Sequence, residues 1–243
     1  MQCWGLTDPG CVRPQNQDAY QIEQLDRSTM LCVVCDGMGG AKSGNVASTL
    51  ALDVFIQEIR RTWSPGMKAD KIDRMLRSAV KLANFTVYDQ AQQFEEFEGM
   101  GTTLVASLIR GGEVVVVNVG DSRAYAVNQD GIHRLTTDHS LVQMMVERGE
   151  LTPEQARTYP GKNLITRAIG TEPVVNCDLF RFDVNRGDCL LLCSDGISNM
   201  MDDQEILFEV VHGVNKQYCC QRLLEIAKNR GAPDNATSVL IQI

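Results

Sequence analysis

Five aspartates carry the first sign of chemistry in this chain. Asp36, Asp121, Asp195 and Asp234 stand at or beside the edges of apolar runs, in CDG, GDS, SDG and PDNA, and Asp18 closes RPQNQD near another. Any one of them is an ordinary turn residue, because Asp-Gly and Asp-Asn suit tight turns. Four at strand edges with a fifth nearby point instead to carboxylates converging at one end of a sheet. An all-oxygen set without paired histidines suits hard cations, magnesium or manganese, better than zinc or copper.

The stretch CVVCDGMGG, residues 32–40, offers a competing chemistry. Cys32 and Cys35 form a Cys-x-x-Cys pair that could join Cys189 and Cys193 in a four-thiolate zinc site or a redox couple. The second pair is spaced Cys-x-x-x-Cys, and both pairs lie inside apolar runs, LCVVC and CLLLC, of the kind that form buried strands. Side chains alternate faces along a strand, so Cys32 and Cys35 are expected to point apart and fill the core. The nine cysteines, an odd number in a chain of this size, fit reduced thiols better than a disulfide framework.

The elements that must position the acids can be read in outline. A strand is expected around Thr29 to Cys35, then a helix from Ser43 to Arg61 with Val46, Leu50, Val54 and Phe55 on its apolar face. A second helix, about Asp70 to Gln93, carries Ile72, Leu76, Ala79, Ala83 and Val87 on one stripe. Thr103 to Ile109 and Glu113 to Val119 read as a hairpin, as do Arg123 to Asn128 and Ile132 to Leu135. Ser140 to Arg148 reads as a helix, and Thr152-Pro153-Glu154-Gln155 as a capping box with Pro at the first helical position. Strands return at Leu164 to Ile169, Asp178 to Val184, Cys189 to Cys193 and Ala236 to Ile243, and helices at Asp202 to His212 and Gln217 to Arg230. Strands grouped apart from helix pairs indicate an α+β layered fold rather than a βαβ wind.

Composition excludes several function classes. Lys+Arg 23 against Asp+Glu 31 gives a net charge of -8, which disfavours nonspecific binding to nucleic acid or an anionic membrane. MQCWGLTDPG lacks the charged and apolar regions of a signal peptide, and no apolar run approaches the ~18 residues of a membrane span. With 44% hydrophobic residues and no linker or repeat, one domain over residues 1–243 in the cytoplasm is the expectation.

Eight segments in order, TDPGCVRPQNQDA, VVCDGMGG, MGTTLVAS, VNVGDSRAY, TTDHS, LITRAIG, LLLCSDGISN and APDNATSVLI, run from Thr7 to Ile241. Together they resemble the metal-dependent serine/threonine protein phosphatases of type 2C in their compact bacterial form. The resemblance implies a four-layer αββα sandwich, two central antiparallel β-sheets flanked by helix pairs, with a metal centre at one end. It implies hydrolysis of phosphoserine and phosphothreonine in proteins by a metal-bridging hydroxide. Two Mn2+ or Mg2+ ions would bind tightly, with a third, weaker site as in many bacterial relatives. Asp36 would bridge two ions, the Gly37 carbonyl would ligate the second, and Asp195 and Asp234 would hold the first. Asp18 would hold metal-bound water, Asp121 with Asp195 would form the third site, and Arg13 would clamp the phosphate, a planar fork suited to two phosphoryl oxygens.

The implied partners are phosphorylated Ser/Thr proteins and a bacterial Ser/Thr kinase, with the chain a free-standing monomer. Residues about 140–166 form the expected flap, where substrate choice would lie. The alternative is a catalytically weak or silent phosphoprotein-binding domain of the same fold, although no core aspartate is missing. Some positions depart from the family pattern: Met38, Ala41, Asn45 and Tyr159 stand where many members carry histidines or an acid. They leave the leaving-group proton donor unassigned, with metal-bound water the first candidate, and His139 without an evident duty.

Overall fold

A computed structural model of the chain describes residues 1–39, 43–213 and 215–243. One sheet runs in the order β1 (Gln2–Asp8), β11 (Ala236–Gln242), β10 (Cys189–Cys193), β7 (Arg123–Asn128) and β8 (Gly131–Arg134). The other runs β2 (Asp18–Gln24), β3 (Thr29–Met38), β5 (Leu104–Arg110), β6 (Glu113–Val119) and β9 (Asp178–Asp183), with the two-residue β4 (Gly101–Thr102) paired to the end of β3. Neighbouring strands are antiparallel in both sheets.

The alternation of side chains along β3 shows how the layers are assembled. Cys32 and Val34 enter a core shared with Leu190, Leu192, Val239 and Ile241 of the other sheet. Leu31, Val33 and Cys35 point the opposite way, into a core made with α1 (Gly44–Thr62) and α2 (Ala69–Gln93). A strand buried on both faces needs an unbroken apolar run, which is what LCVVC supplies. The first sheet has its own outer core, closed by α5 (Asp195–Ser198), α6 (Asp203–His212) and α7 (Cys219–Asn229). The order is therefore helices, sheet, sheet, helices, as expected.

On α2 the stripe Ile72, Leu76, Ala79, Ala83 and Val87 is fully buried; truncating Leu76 to Ala there would cost about 2–5 kcal/mol. On α1 the expected stripe is displaced. Ala47, Ala51, Phe55 and Ile59 are fully buried, whereas Val46, Leu50 and Val54 flank the core half-exposed. Small alanines let the helix sit close to the sheet, and a reading weighted to large side chains rotates the face by about one residue.

One further expectation changes. Leu164 to Ile169 is not a strand but makes isolated bridges, Ser140 to Ile165 and Thr102 to Ile169. Its backbone is instead shared with the neighbouring segment, Leu141 N–H donating to Leu164 O and Thr166 N–H to His139 O. Asp195 lies two residues beyond β10, beside its end as expected, and is the first residue of α5. Between residues 139 and 166 lie α3 (Leu141–Glu147), N-capped by Ser140, and α4 (Pro153–Thr158), whose Thr152–Gln155 capping box forms as expected. Among the described residues no helix is long and apolar enough to cross a membrane.

Candidate metal centre

Asp18 opens β2 and Asp36 stands near the end of β3, directly opposite in the antiparallel register. The Asp36 backbone is held on both sides: its N–H donates to Thr103 Oγ1 at 2.9 Å, and its carbonyl accepts from Thr103 N–H and Thr102 Oγ1, each at 2.9 Å. Thr103 Oγ1 also meets Ser122 Oγ at 2.7 Å, tying the turn after β6 to the same corner. Gly37 follows, its N–H donating to Gln17 O at 3.1 Å. A Cβ here would collide with the carbonyl oxygens of Gly44 and Gln17, so only glycine lets α1 and the 9–17 loop close on this strand end. Gly40 and Ala41 lie outside the described residues.

Asp18 is buried and joins the two sheets. Its Oδ2 accepts from Ser194 Oγ at 2.8 Å and Thr237 Oγ1 at 2.6 Å, while Oδ1 is buried without a hydrogen-bond partner. Ser194 precedes Asp195, whose Oδ2 accepts from Asn199 Nδ2 at 3.0 Å. Asp234 lies between α7 and β11; its Oδ2 accepts from Arg13 Nη2 at 2.8 Å. Arg13 is brought there by Asn235, whose side chain donates to Pro9 O and Gln15 O and accepts from Gln17 N–H, at 2.8–3.0 Å. Asp121 is buried just beyond β6. A groove of about 650 Å³ is lined by Asp121 and Asp195 together with Arg157, Lys162, Asp202 and Asp203.

The chain's relatives bear on what this end of the sandwich is for. A family model described as protein phosphatase 2C matches residues 14–226. The chain belongs to the protein phosphatase 2C family. The serine/threonine phosphatase Stp of Listeria welshimeri is 34% identical over 236 residues, 97% of this chain and 93% of that protein. Protein phosphatase PhpP of Streptococcus pneumoniae is 34% identical over 242 residues, 98% and 96% of the two chains. The crystal structure of serine/threonine phosphatase Stp1 from Staphylococcus aureus superposes with a TM-score of 0.94 at 38% identity, covering 100% of this chain and 94% of that one. The span matched by the protein phosphatase 2C model stops short of Arg13 and Asp234 at either end, and the fold brings both to the same loop cluster.

In this family member the carboxylates are electrostatically frustrated. Burial, then the charges of Asp18, Asp195, Asp121 and Asp234, push the Asp36 carboxyl well above the ordinary range. Burial likewise lifts Asp18 to about 7, Asp121 to about 8 and Asp195 to about 6. Asp36 is the centre of the set, since the charges of Asp18, Asp195, Asp121 and Asp234 all act on its carboxyl. Among the described residues no three His, Cys, Asp or Glu side chains close into a single-ion cage, so the array is an open one. Its buried negative charge and the unpartnered Asp18 Oδ1 fit hard divalent cations, which the family's metal dependence calls for.

The cysteine alternative separates in space. Cys32 faces the inter-sheet core, Cys35 the α1/α2 core, and Cys189 and Cys193 the outer core of the first sheet. Burial raises the thiols of Cys35 and Cys193, the latter to about 12, which keeps them neutral. The supporting residues Thr103, Ser194, Asn235 and His139 were not singled out as site residues, yet each lies in a family segment, MGTTLVAS, LLLCSDGISN, APDNATSVLI or TTDHS. Their signal was adjacency to an acid or to its strand.

Proposed function

We propose that this protein phosphatase 2C member hydrolyses phosphoserine and phosphothreonine in proteins, with its carboxylate cluster serving divalent cations. The observation that carries this is the convergence of Asp18 and Asp121, which are buried, with the half-buried Asp36, Asp195 and Asp234 beside a guanidinium, in a chain whose relatives are named serine/threonine phosphatases. Asp36, the Gly37 carbonyl, Asp195 and Asp234 would hold two tightly bound ions, with Asp36 shared by both. Asp121 with Asp195 would hold a third ion more weakly. When bound, Mn2+ or Mg2+ supplies Lewis acidity toward the phosphoryl oxygens and an acidified water.

The chain's own groups do the rest. Arg13 has two faces to offer: one N–H holds Asp234, and the rest of its half-exposed fork is directed to two phosphoryl oxygens. Asp18, with Oδ2 taken by Ser194 and Thr237, orients water through its free Oδ1. No histidine of the described residues stands among these carboxylates, and Met38 brings no proton, so the departing serine or threonine oxygen takes its proton from water.

The peptide around the phosphoresidue lies in the groove at the 140–166 flap, which Arg157, Lys162, Asp202 and Asp203 line. Residues 1–243 act as one catalytic unit, a cytoplasmic monomer opposing a bacterial Ser/Thr kinase in signalling. The test is hydrolysis of a phosphothreonine peptide and of p-nitrophenyl phosphate with manganese, with magnesium and with chelator. Metal-dependent turnover of both is expected; a folded, metal-loaded protein that binds phosphopeptide without hydrolysing it would make the chain a binding module.

A further inference from the structure

We propose that His139 is a positioning residue that pins the Gly120–Asp121 turn to the base of the flap, so that Asp121 is held at the metal centre only while the flap base is seated. The proposal rests on the reading of Asp121 as a metal ligand. Both backbone polar groups of Gly120 are engaged by this one residue. Gly120 N–H donates to His139 Nδ1, and His139 N–H donates to Gly120 O, each at 2.9 Å. On its other side the His139 carbonyl accepts from Thr166 N–H at 2.8 Å, at the returning root of the flap. The outgoing root begins at the next residue, Ser140, which caps α3 and bridges Ile165.

The ring is fixed from outside as well. With Nδ1 accepting, the ring proton sits on Nε2 and donates to Asp178 Oδ2 at 3.0 Å, while Arg167, the residue after Thr166, bonds Asp178 Oδ1 at 3.0 Å. Asp178 is the register partner of Asn118, whose side chain donates to Gly120 O and Thr137 O at 3.2 Å. The turn is held besides by Asn118 at Gly120 O and by Thr103 at Ser122. Gly120 adopts φ +108°, where a side chain would be strained and would press into Thr103. Thr103 in turn holds Asp36 N–H and Ser122. A continuous set of hydrogen bonds therefore runs from both flap roots through His139 to the turn that presents Asp121.

The test compares metal-stripped wild type, His139→Ala, His139→Asn, Asp178→Ala and Asp121→Ala by amide exchange of Gly120 and by manganese-titrated hydrolysis of a phosphothreonine peptide. His139→Ala should speed Gly120 exchange about tenfold in the metal-free state. It should also raise the manganese concentration for half-maximal activity about tenfold while kcat at saturating manganese stays within about twofold. His139→Asn, whose Oδ1 reaches the place of Nδ1, should restore most of both. Asp178→Ala, a partly exposed site that leaves the cores intact, should shift both readouts the same way by less and decides the matter if His139→Ala does not fold. Wild-type manganese activation in His139→Ala or, failing that variant, in Asp178→Ala would overturn the proposal. So would a fall in kcat without a shift in manganese activation, or failure of His139→Asn to do better than Ala. Asp121→Ala separates the two ideas: if it shifts manganese activation and the others do not, only the role of His139 falls; if it too behaves as wild type, Asp121 is no ligand and the proposal falls with that reading.

Discussion

Asp18 and Asp36 are direct partners across the β2–β3 pair, so two carboxyls rise side by side from the same face at the same end of one sheet. Like charges directly opposite on a sheet are destabilising, and here Asp18 is buried and Asp36 half-buried. The pair makes sense as the floor of a cation site. Asp36→Asn should therefore separate stability from function. Removing one uncompensated charge should leave the metal-free protein as stable as wild type or more so, by about 1 kcal/mol. Turnover should fall by more than about 10²-fold. Melting curves and kinetics on one preparation check both; substantial turnover with two ions still bound would end the bridging role of Asp36.

Arg13 is half-exposed and ion-paired to Asp234, so its replacement should hardly touch the fold, by less than about 0.5 kcal/mol. Its effect should appear with substrate. Arg13→Ala should raise KM and lower kcat, and Arg13→Lys should recover only part of the loss, because a point charge cannot hold two oxygens in one plane. Full recovery by lysine would mean that charge alone is used.

The raised carboxyls make the metal-free protein sensitive to pH with a definite sign. A carboxyl whose folded value lies above its unfolded one keeps its proton in the folded state longer, so its contribution to stability is present at low pH and lost as pH rises through the folded value. For Asp18 and Asp121 that loss begins near the ordinary carboxyl value and is complete near 7 and 8. His139, whose value is lowered chiefly by burial, acts in the opposite sense below about 6.5 and is neutral in both states above it. Between about pH 6.5 and 8 the metal-free protein should thus lose on the order of 1–3 kcal/mol. Saturating manganese should remove most of that slope; equal slopes with and without metal would remove the carboxylates from the site.

Cys32→Ser with Cys35→Ser should leave metal-dependent turnover per folded molecule intact. Each substitution buries a hydroxyl in an apolar core and should cost about 1–3 kcal/mol of stability. Stoichiometric zinc released by these substitutions together with activity would contradict this.

What could be read in the sequence was what has strong periodicity or strong chemistry. The α2 stripe, the β5–β6 hairpin and the five aspartates were legible because apolar spacing and turn-edge acids survive without knowledge of partners. β1 and β2 were not: both are largely half-buried along their length, so QCWGLTD and DAYQIEQ show no clean alternation. Leu164 to Ile169 looked like a strand because its composition is right, but its partners are the uneven backbone around His139. Thr103, Asn235 and His139 act through single hydrogen bonds to distant segments, and nothing in their local sequence states which backbone they will meet.

Titrating metal-stripped protein with manganese in a calorimeter, and assaying phosphothreonine-peptide hydrolysis on the same samples, tests the central claim most directly. Two tight ions should bind, turnover should rise with their occupancy, and chelator should return it to background. Full turnover in the metal-free protein, or two bound ions with no hydrolysis at all, would contradict the account.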